Sequence, residues 1–190
     1  MIAACVLAAG GSRRFGATKQ LERIGDESWV RRTVRLATEA GCAPVLVVTG
    51  ADGDRVASEV DGMPRVETVH HAGWQDGIGS SIAAGVRALS EDGPCRGVLL
   101  LTCDQLALDR EVLDRVLAAF DGAPLGIAAC AYAGTVGIPA LFGRGWFDRL
   151  AELDGDRGAK ALLFEDPGLR TDVDWPAGAE DRDQRRGSGG

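Results

Sequence analysis

Four stretches of this chain carry residue types suited to chemistry on phosphates. The first is Leu7-Ala8-Ala9-Gly10-Gly11-Ser12-Arg13-Arg14-Phe15-Gly16-Ala17-Thr18-Lys19, an apolar run that breaks into glycines and cations. Glycine needs no Cβ clearance, so its backbone N–H groups can turn inward onto an anion. Arg13 and Lys19 add positive charge beside them. The second is Gly77-Ile78-Gly79-Ser80-Ser81, small residues that open a helical pattern and offer hydroxyl and N–H donors at close approach. The third is the apolar strand Gly97-Val-Leu-Leu-Leu-Thr102, which runs through Cys103 into Asp104. A carboxylate at a strand's carboxyl end is well placed to hold a metal ion. The fourth is Gly155-Asp156-Arg157-Gly158-Ala159-Lys160, a helix start with adjacent cations that suits a second phosphate. Each also has a plain structural reading: Ser80 or Ser81 as a helix cap, Asp104 as the cap of the next helix, Asp156 as an ordinary helix start.

Two well-known phosphate cradles do not fit. The P-loop pattern needs Lys followed by Ser or Thr directly after its second Gly, and here Ala17-Thr18 intervene before Lys19. The dinucleotide fingerprint G-x-G-x-x-G is matched neither by Gly10, Gly11 and Gly16 nor by Gly77-Ile-Gly79-Ser-Ser-Ile82.

These stretches need a scaffold, and the hydrophobic pattern supplies one. Ile2–Leu7, Val45–Thr49, Val66–Val69, Val98–Thr102, Gly126–Ala131 and Val136–Phe142 are short apolar runs, as expected of strands covered on both faces. Helical spacing appears in Trp29-Val30…Val34…Ala37, in Ala83–Leu89 and in Val112-Leu113…Val116-Leu117…Phe120. The alternation predicts an α/β fold with a single doubly wound, mostly parallel sheet of Rossmann-like nucleotide-binding topology. Right-handed crossovers then gather the loops after the strands along one edge. One domain over residues 1–176 is expected, followed by a disordered polar tail over 177–190.

Bulk composition narrows the partners. A formal net charge of -7 argues against a broad nucleic-acid face. No apolar run approaches a membrane span, and the cations follow the opening apolar run where a signal peptide would have them precede it. The expected location is cytoplasmic, without membrane contact. The five cysteines lack metal-binding spacing and read as buried thiols in a reducing compartment.

The opening motif resembles the signature of the MobA-like nucleotidyltransferases, roughly L-A-A-G-x-S-x-R-[FM]-G-x-x-K. The resemblance continues through Trp74-Gln-Asp-Gly77-Ile-Gly79-Ser-Ser81-Ile-Ala-Ala-Gly85, Cys103-Asp104-Gln105, Gly137-Ile-Pro139-Ala, Gly155–Leu163 and Asp172-Val-Asp174, over about residues 1–176. It is nearest to the molybdenum cofactor cytidylyltransferases. Two positions depart from the pattern: Leu106 stands where Pro is usual, and Trp175 where Thr is usual.

The resemblance implies a Mg²⁺-dependent transfer of a nucleoside monophosphate from an NTP to the phosphate of a molybdopterin-type cofactor, with release of pyrophosphate. Leu7, Ala8, Ala9, Gly10, Gly11, Ser12, Arg13, Lys19, Gly77, Ser80 and Ser81 would bind the nucleotide. Arg13, Lys19 and Asp104 would act in catalysis. Asp104 and Asp174 would hold Mg²⁺, with Asp172 as the fallback. Gly137, Pro139, Asp156, Arg157 and Lys160 would face the acceptor. The Leu7-Ala-Ala-Gly10 form favours CTP over GTP, because guanylyl relatives more often have L-A-G-G. A molybdoenzyme client would receive the product. Two other readings stay open: a nucleotidyltransferase acting on a sugar 1-phosphate or another small phosphate, and a non-catalytic accessory protein that carries cofactor to a molybdoenzyme.

Overall fold

The structure, a computed structural model, describes residues 1–10, 18–91, 93 and 95–179. In chain order its strands and helices are β1 (Ile2–Ala8), β2 (Arg23–Ile24), β3 (Glu27–Ser28), α1 (Trp29–Glu39), β4 (Val45–Thr49), α2 (Gly53–Val60), β5 (Val66–His70) and α3 (Ile78–Glu91). They continue with β6 (Gly97–Thr102), α4 (Arg110–Ala119), β7 (Ile127–Tyr132), β8 (Thr135–Gly143), α5 (Phe147–Ala151), α6 (Lys160–Leu163) and β9 (Arg170–Asp174). Seven strands form one sheet in the order β5-β4-β1-β6-β8-β7-β9, and β2 and β3 make a separate small hairpin.

Strand β1 is apolar on both faces because it sits inside the sheet. It pairs in parallel with β4 on one side and with β6 on the other. Ala4, Val6 and Ala8 point to one layer, with Val30 and Val34 of α1, Val56 of α2 and Leu113 of α4. Ala3, Cys5 and Leu7 point to the opposite layer, with Ile82 and Val86 of α3 and Leu150 of α5. Two buried clusters thus sandwich the sheet, which is the arrangement a doubly wound fold requires.

The mostly parallel sheet agrees with expectation. Strand β8 runs antiparallel to both β6 and β7, and β9 closes the far edge in parallel with β7. This reversal positions the site. Leu7 pairs with Thr102, so Gly10 and Asp104 leave the sheet side by side. Leu100 pairs with Ala140 of the oncoming β8, so the early residues of β8 lie next to the end of β6. A turn over Pro176–Ala179 follows β9. Among the described residues no helix is long and apolar enough to cross a membrane.

Candidate active site

Two cavities open on the carboxyl edge of the sheet. The first, of about 480 Å³, is walled by Leu7, Ala9 and Gly10 from the end of β1, Lys19, Ser81 of α3 and Asp104. The second, of about 540 Å³, is walled by Gly137 and Tyr132 of the β7–β8 pair, Gln105, Asp156, Arg157 and Lys160. Ile78, Thr102, Asp104 and Asp156 line both, so the chambers share a waist flanked by two carboxylates.

Local structure explains why Asp104 is available at that waist. Helix α4 is capped by Asp109, whose carboxylate accepts from the Val112 N–H at 2.9 Å, so Asp104 has no capping duty. Its backbone carbonyl accepts from the Leu106 N–H at 3.0 Å. A proline at 106 has no N–H and could not make that bond, so the departure from the family pattern gives this chain its own turn after Asp104. The side chain of Leu106 packs onto the core.

The mouth of the first chamber is fastened by Gln20. Its Nε2 donates to the Gly10 carbonyl at 2.7 Å, joining the end of β1 to the turn over Lys19–Leu21. Thr18 donates to the carboxylate of Asp52 just beside it. Two tryptophans, Trp29 and Trp74, complete the wall.

The loop before α3 joins the two chambers. Gly77 has φ 120° and ψ 178°, a combination open to glycine and almost nothing else. A Cβ there would collide with the backbone of Gly155. Gly79 faces the Asp154 carbonyl in the same way, with a Cβ contact of 2.7 Å. The small residues that look in the sequence like a seat for ligand therefore also let two loops touch.

Residues expected at the site fall into three groups. Leu7, Ala9, Gly10, Lys19, Gly77, Ser81 and Asp104 line the first chamber, and Gly137, Asp156, Arg157 and Lys160 line the second. Gly11, Ser12 and Arg13 lie outside the described residues. Ala8, Ser80, Pro139 and Asp174 line neither chamber. Ala8 faces the other layer, by strand alternation. Ser80 is engaged locally: its Oγ donates to the Gly77 carbonyl at 2.8 Å and lies 2.9 Å from His71 Nε2. Pro139 sits where the β7–β8 register shifts between Ala129 and Cys130, a bulge in which proline's missing N–H costs no ladder bond. Asp174 ends β9 at the same sheet edge as Asp104, but β8 and β7 separate the two strands.

Gln20, Trp29, Trp74, Gln75, Gln105 and Tyr132 were not among the expected site residues, yet all line a chamber. Gln20 and Gln105 each have a buried Oε1 without a hydrogen-bond partner. No periodicity or charge pattern marks such residues, because loops deliver most of them.

The model of the MobA-like NTP transferase domain matches residues 4–170. The chain belongs to this family. Among solved structures, a nucleotidyl transferase from Methanothermobacter is 25% identical with a TM-score of 0.76, over 92% of this chain and 87% of that one. Rv0371c from Mycobacterium tuberculosis H37Rv, in complex with manganese, is 28% identical with a TM-score of 0.71, over 97% and 95%. The bifunctional enzyme IspD/IspF of Caulobacter vibrioides is 31% identical over 139 residues, which are 69% of this chain and 34% of that protein. The chain thus spans about a third of the length of that curated relative.

A divalent ion fits the waist. Among the described residues no group of three or more His, Cys, Asp or Glu forms a protein-only metal cage. Mg²⁺ does not need one: it is usually held by one or two carboxylates, with water and substrate phosphate filling the other positions. Asp104 at the meeting point of the two chambers suits that mode.

Proposed function

We propose that this chain transfers CMP from CTP to the phosphate of a molybdopterin-type cofactor and releases pyrophosphate. The observation that carries the reading is the pair of chambers joined at Asp104. A donor triphosphate lies in the first, with its β and γ phosphates toward Lys19 and Arg13. The acceptor lies in the second, its phosphate between Arg157 and Lys160.

An oxygen of the acceptor phosphate attacks the α-phosphorus in line. The new P–O bond forms as the bond to pyrophosphate breaks, and the electron pair leaves with pyrophosphate. The attacking oxygen is already ionised, so no general base is required. What the protein must do is hold two anions in line and keep them from repelling each other. Lys19 and Arg13 neutralise the leaving end, and Arg157 and Lys160 neutralise the acceptor. Asp104 would hold Mg²⁺ at the waist. Asp174, which the family resemblance pairs with it, is separated from β6 by β8 and β7 and lines neither chamber, so water and substrate phosphate would complete the ion's coordination. When bound, the ion offsets charge on the phosphate oxygens.

The base preference rests on Ala9, which lines the donor chamber and is 2% exposed. Its methyl group takes space that a glycine would leave to a purine, which supports CTP over GTP. The whole fold serves as one domain over residues 1–176, working in the cytoplasm and passing its product to a molybdoenzyme.

The deciding experiment measures pyrophosphate release with each NTP, with and without molybdopterin. Release with CTP only when molybdopterin is present is the expected result. Release with a sugar 1-phosphate and not with molybdopterin moves the acceptor to that class. Nucleotide binding without any release makes the chain a carrier.

A further inference from the structure

Tyr132 is the single tyrosine of the chain and, among the described residues, the one aromatic ring lining the second chamber. It is held from several sides. Its hydroxyl donates to the Ile138 carbonyl at 3.0 Å, and Gln105 Nε2 donates to the same oxygen at 2.6 Å. That carbonyl lies in the bulged part of the β7–β8 ladder, so side chains supply its donors. Gly137 makes room beneath the phenol, where a Cβ would collide with the hydroxyl.

The ring's remaining support is Trp175. The two rings meet edge to face, with centroids 5.8 Å apart and an interplanar angle of 89°. Trp175 is 3% exposed, and its backbone N–H donates to the Ala131 carbonyl at 2.8 Å. Gly178, in the turn that follows, lies against both rings. Trp175 is also the position at which the chain departs from its family's threonine. A threonine has no ring to buttress Tyr132, whereas the indole fixes a flat wall in the chamber. Opposite chemistry lines the same cavity: Arg157 and Lys160 bring positive charge, and Asp104 stands at the waist.

We propose that Tyr132, held in place by Trp175, is the residue that selects the acceptor, favouring a phosphate monoester attached to a flat conjugated ring over an open-chain phosphate. The cations take the phosphate, and the phenol face takes the ring by stacking. This rests on the reading of the second chamber as the acceptor site.

The test uses the full chain with α,β-methylene-CTP, which fills the donor chamber without reacting. Calorimetry then compares 6-hydroxymethylpterin phosphate with glycerol 3-phosphate. The pterin phosphate is expected to bind at least tenfold tighter. Tyr132→Leu, which fills the space without a flat ring, brings the two within threefold, and Tyr132→Phe keeps the preference. Trp175→Thr weakens it. Affinity for α,β-methylene-CTP stays constant across the series and reports an intact fold.

Equal affinity of the wild type for both phosphates overturns the proposal and leaves the acceptor reading standing. A preference that survives Tyr132→Leu also overturns it. Failure of both phosphates to bind overturns the acceptor reading, and the proposal falls with it. The wild-type comparison needs no variant, so a poorly folding substitution does not remove the decision.

Discussion

Asp104 sits at the point where two anionic substrates would have to meet, and nothing in the surrounding turn depends on its charge: α4 has its own cap at Asp109, and Leu106 bonds the Asp104 backbone, leaving the side chain to the waist. Asp104→Asn should therefore lower Mg²⁺-dependent turnover by about a hundredfold or more, the scale of losing one preorganised electrostatic partner. The melting temperature should stay within a degree or two, because the side chain is exposed. Near-normal turnover across a Mg²⁺ titration would refute the metal assignment. Ala9 gives a second test at the same scale. Removing one carbon from an apolar pocket changes selectivity by roughly tenfold at the low end of such effects. Ala9→Gly should therefore shift the ratio of kcat/KM for CTP and GTP toward GTP, and an unchanged ratio would detach base choice from this position.

At the scale of elements, the loop before α3 and the turn Gly155–Arg157 form one contact, made possible by glycine on both sides. Gly77→Ala enters a forbidden dihedral region, which alone costs about 1–3 kcal/mol, and it meets a backbone collision besides, so that amount is a lower bound. It should lower stability in urea by at least that amount and raise KM for the acceptor as well as for CTP, since the two chambers share this seam. A change in KM for CTP alone would show that the loops move independently. The same elements show what could be read from the chain. Continuous Val, Leu and Ala mark β1, β4 and β6 because both faces are buried. Strand β9 escapes that logic: it is an edge strand with one buried residue, Val173, among Arg, Thr and Asp, so it reads as an acidic segment. Helix α2 is hidden for a different reason. Its first residues, Gly53 and Asp54, follow Asp52 in a left-handed conformation, a turn signal more than a helix signal. Asp104 was legible because a strand points to it. Tyr132 and Gln105 were not, because their place depends on β8 running backwards and on a bulge within it, and Gln20 was not, because a short turn delivers it to the Gly10 carbonyl.

Across the whole molecule, all five cysteines are buried and free. Burial pushes the thiols of Cys5, Cys42 and Cys130 up to about 12, and raises Cys103 as well, with the nearby charge of Asp104 adding to it. In the folded chain these groups keep their protons at a pH where an unfolded thiol, of pKa about 8.5, has lost its own. The native state therefore binds more protons in that window, so stability is full below about pH 8.5 and falls as pH climbs toward 12. Thermal melts should show this one-sided decline, and native protein should react with a thiol reagent only as fast as it unfolds. A rapid titration of several thiols at neutral pH would contradict the burial. The position of β1 has a consequence for how the chain is made. Its two neighbours are parallel strands, and one of them pairs Gly97 with Ile2, so a ribosome must deliver nearly a hundred residues before β1 loses its second open edge. Until then an apolar strand has one side exposed, and Gly10 beyond its end has no carboxylate beside it. Placing β1 in the middle of the sheet thus sets how long an unpaired apolar edge waits for its partner during synthesis.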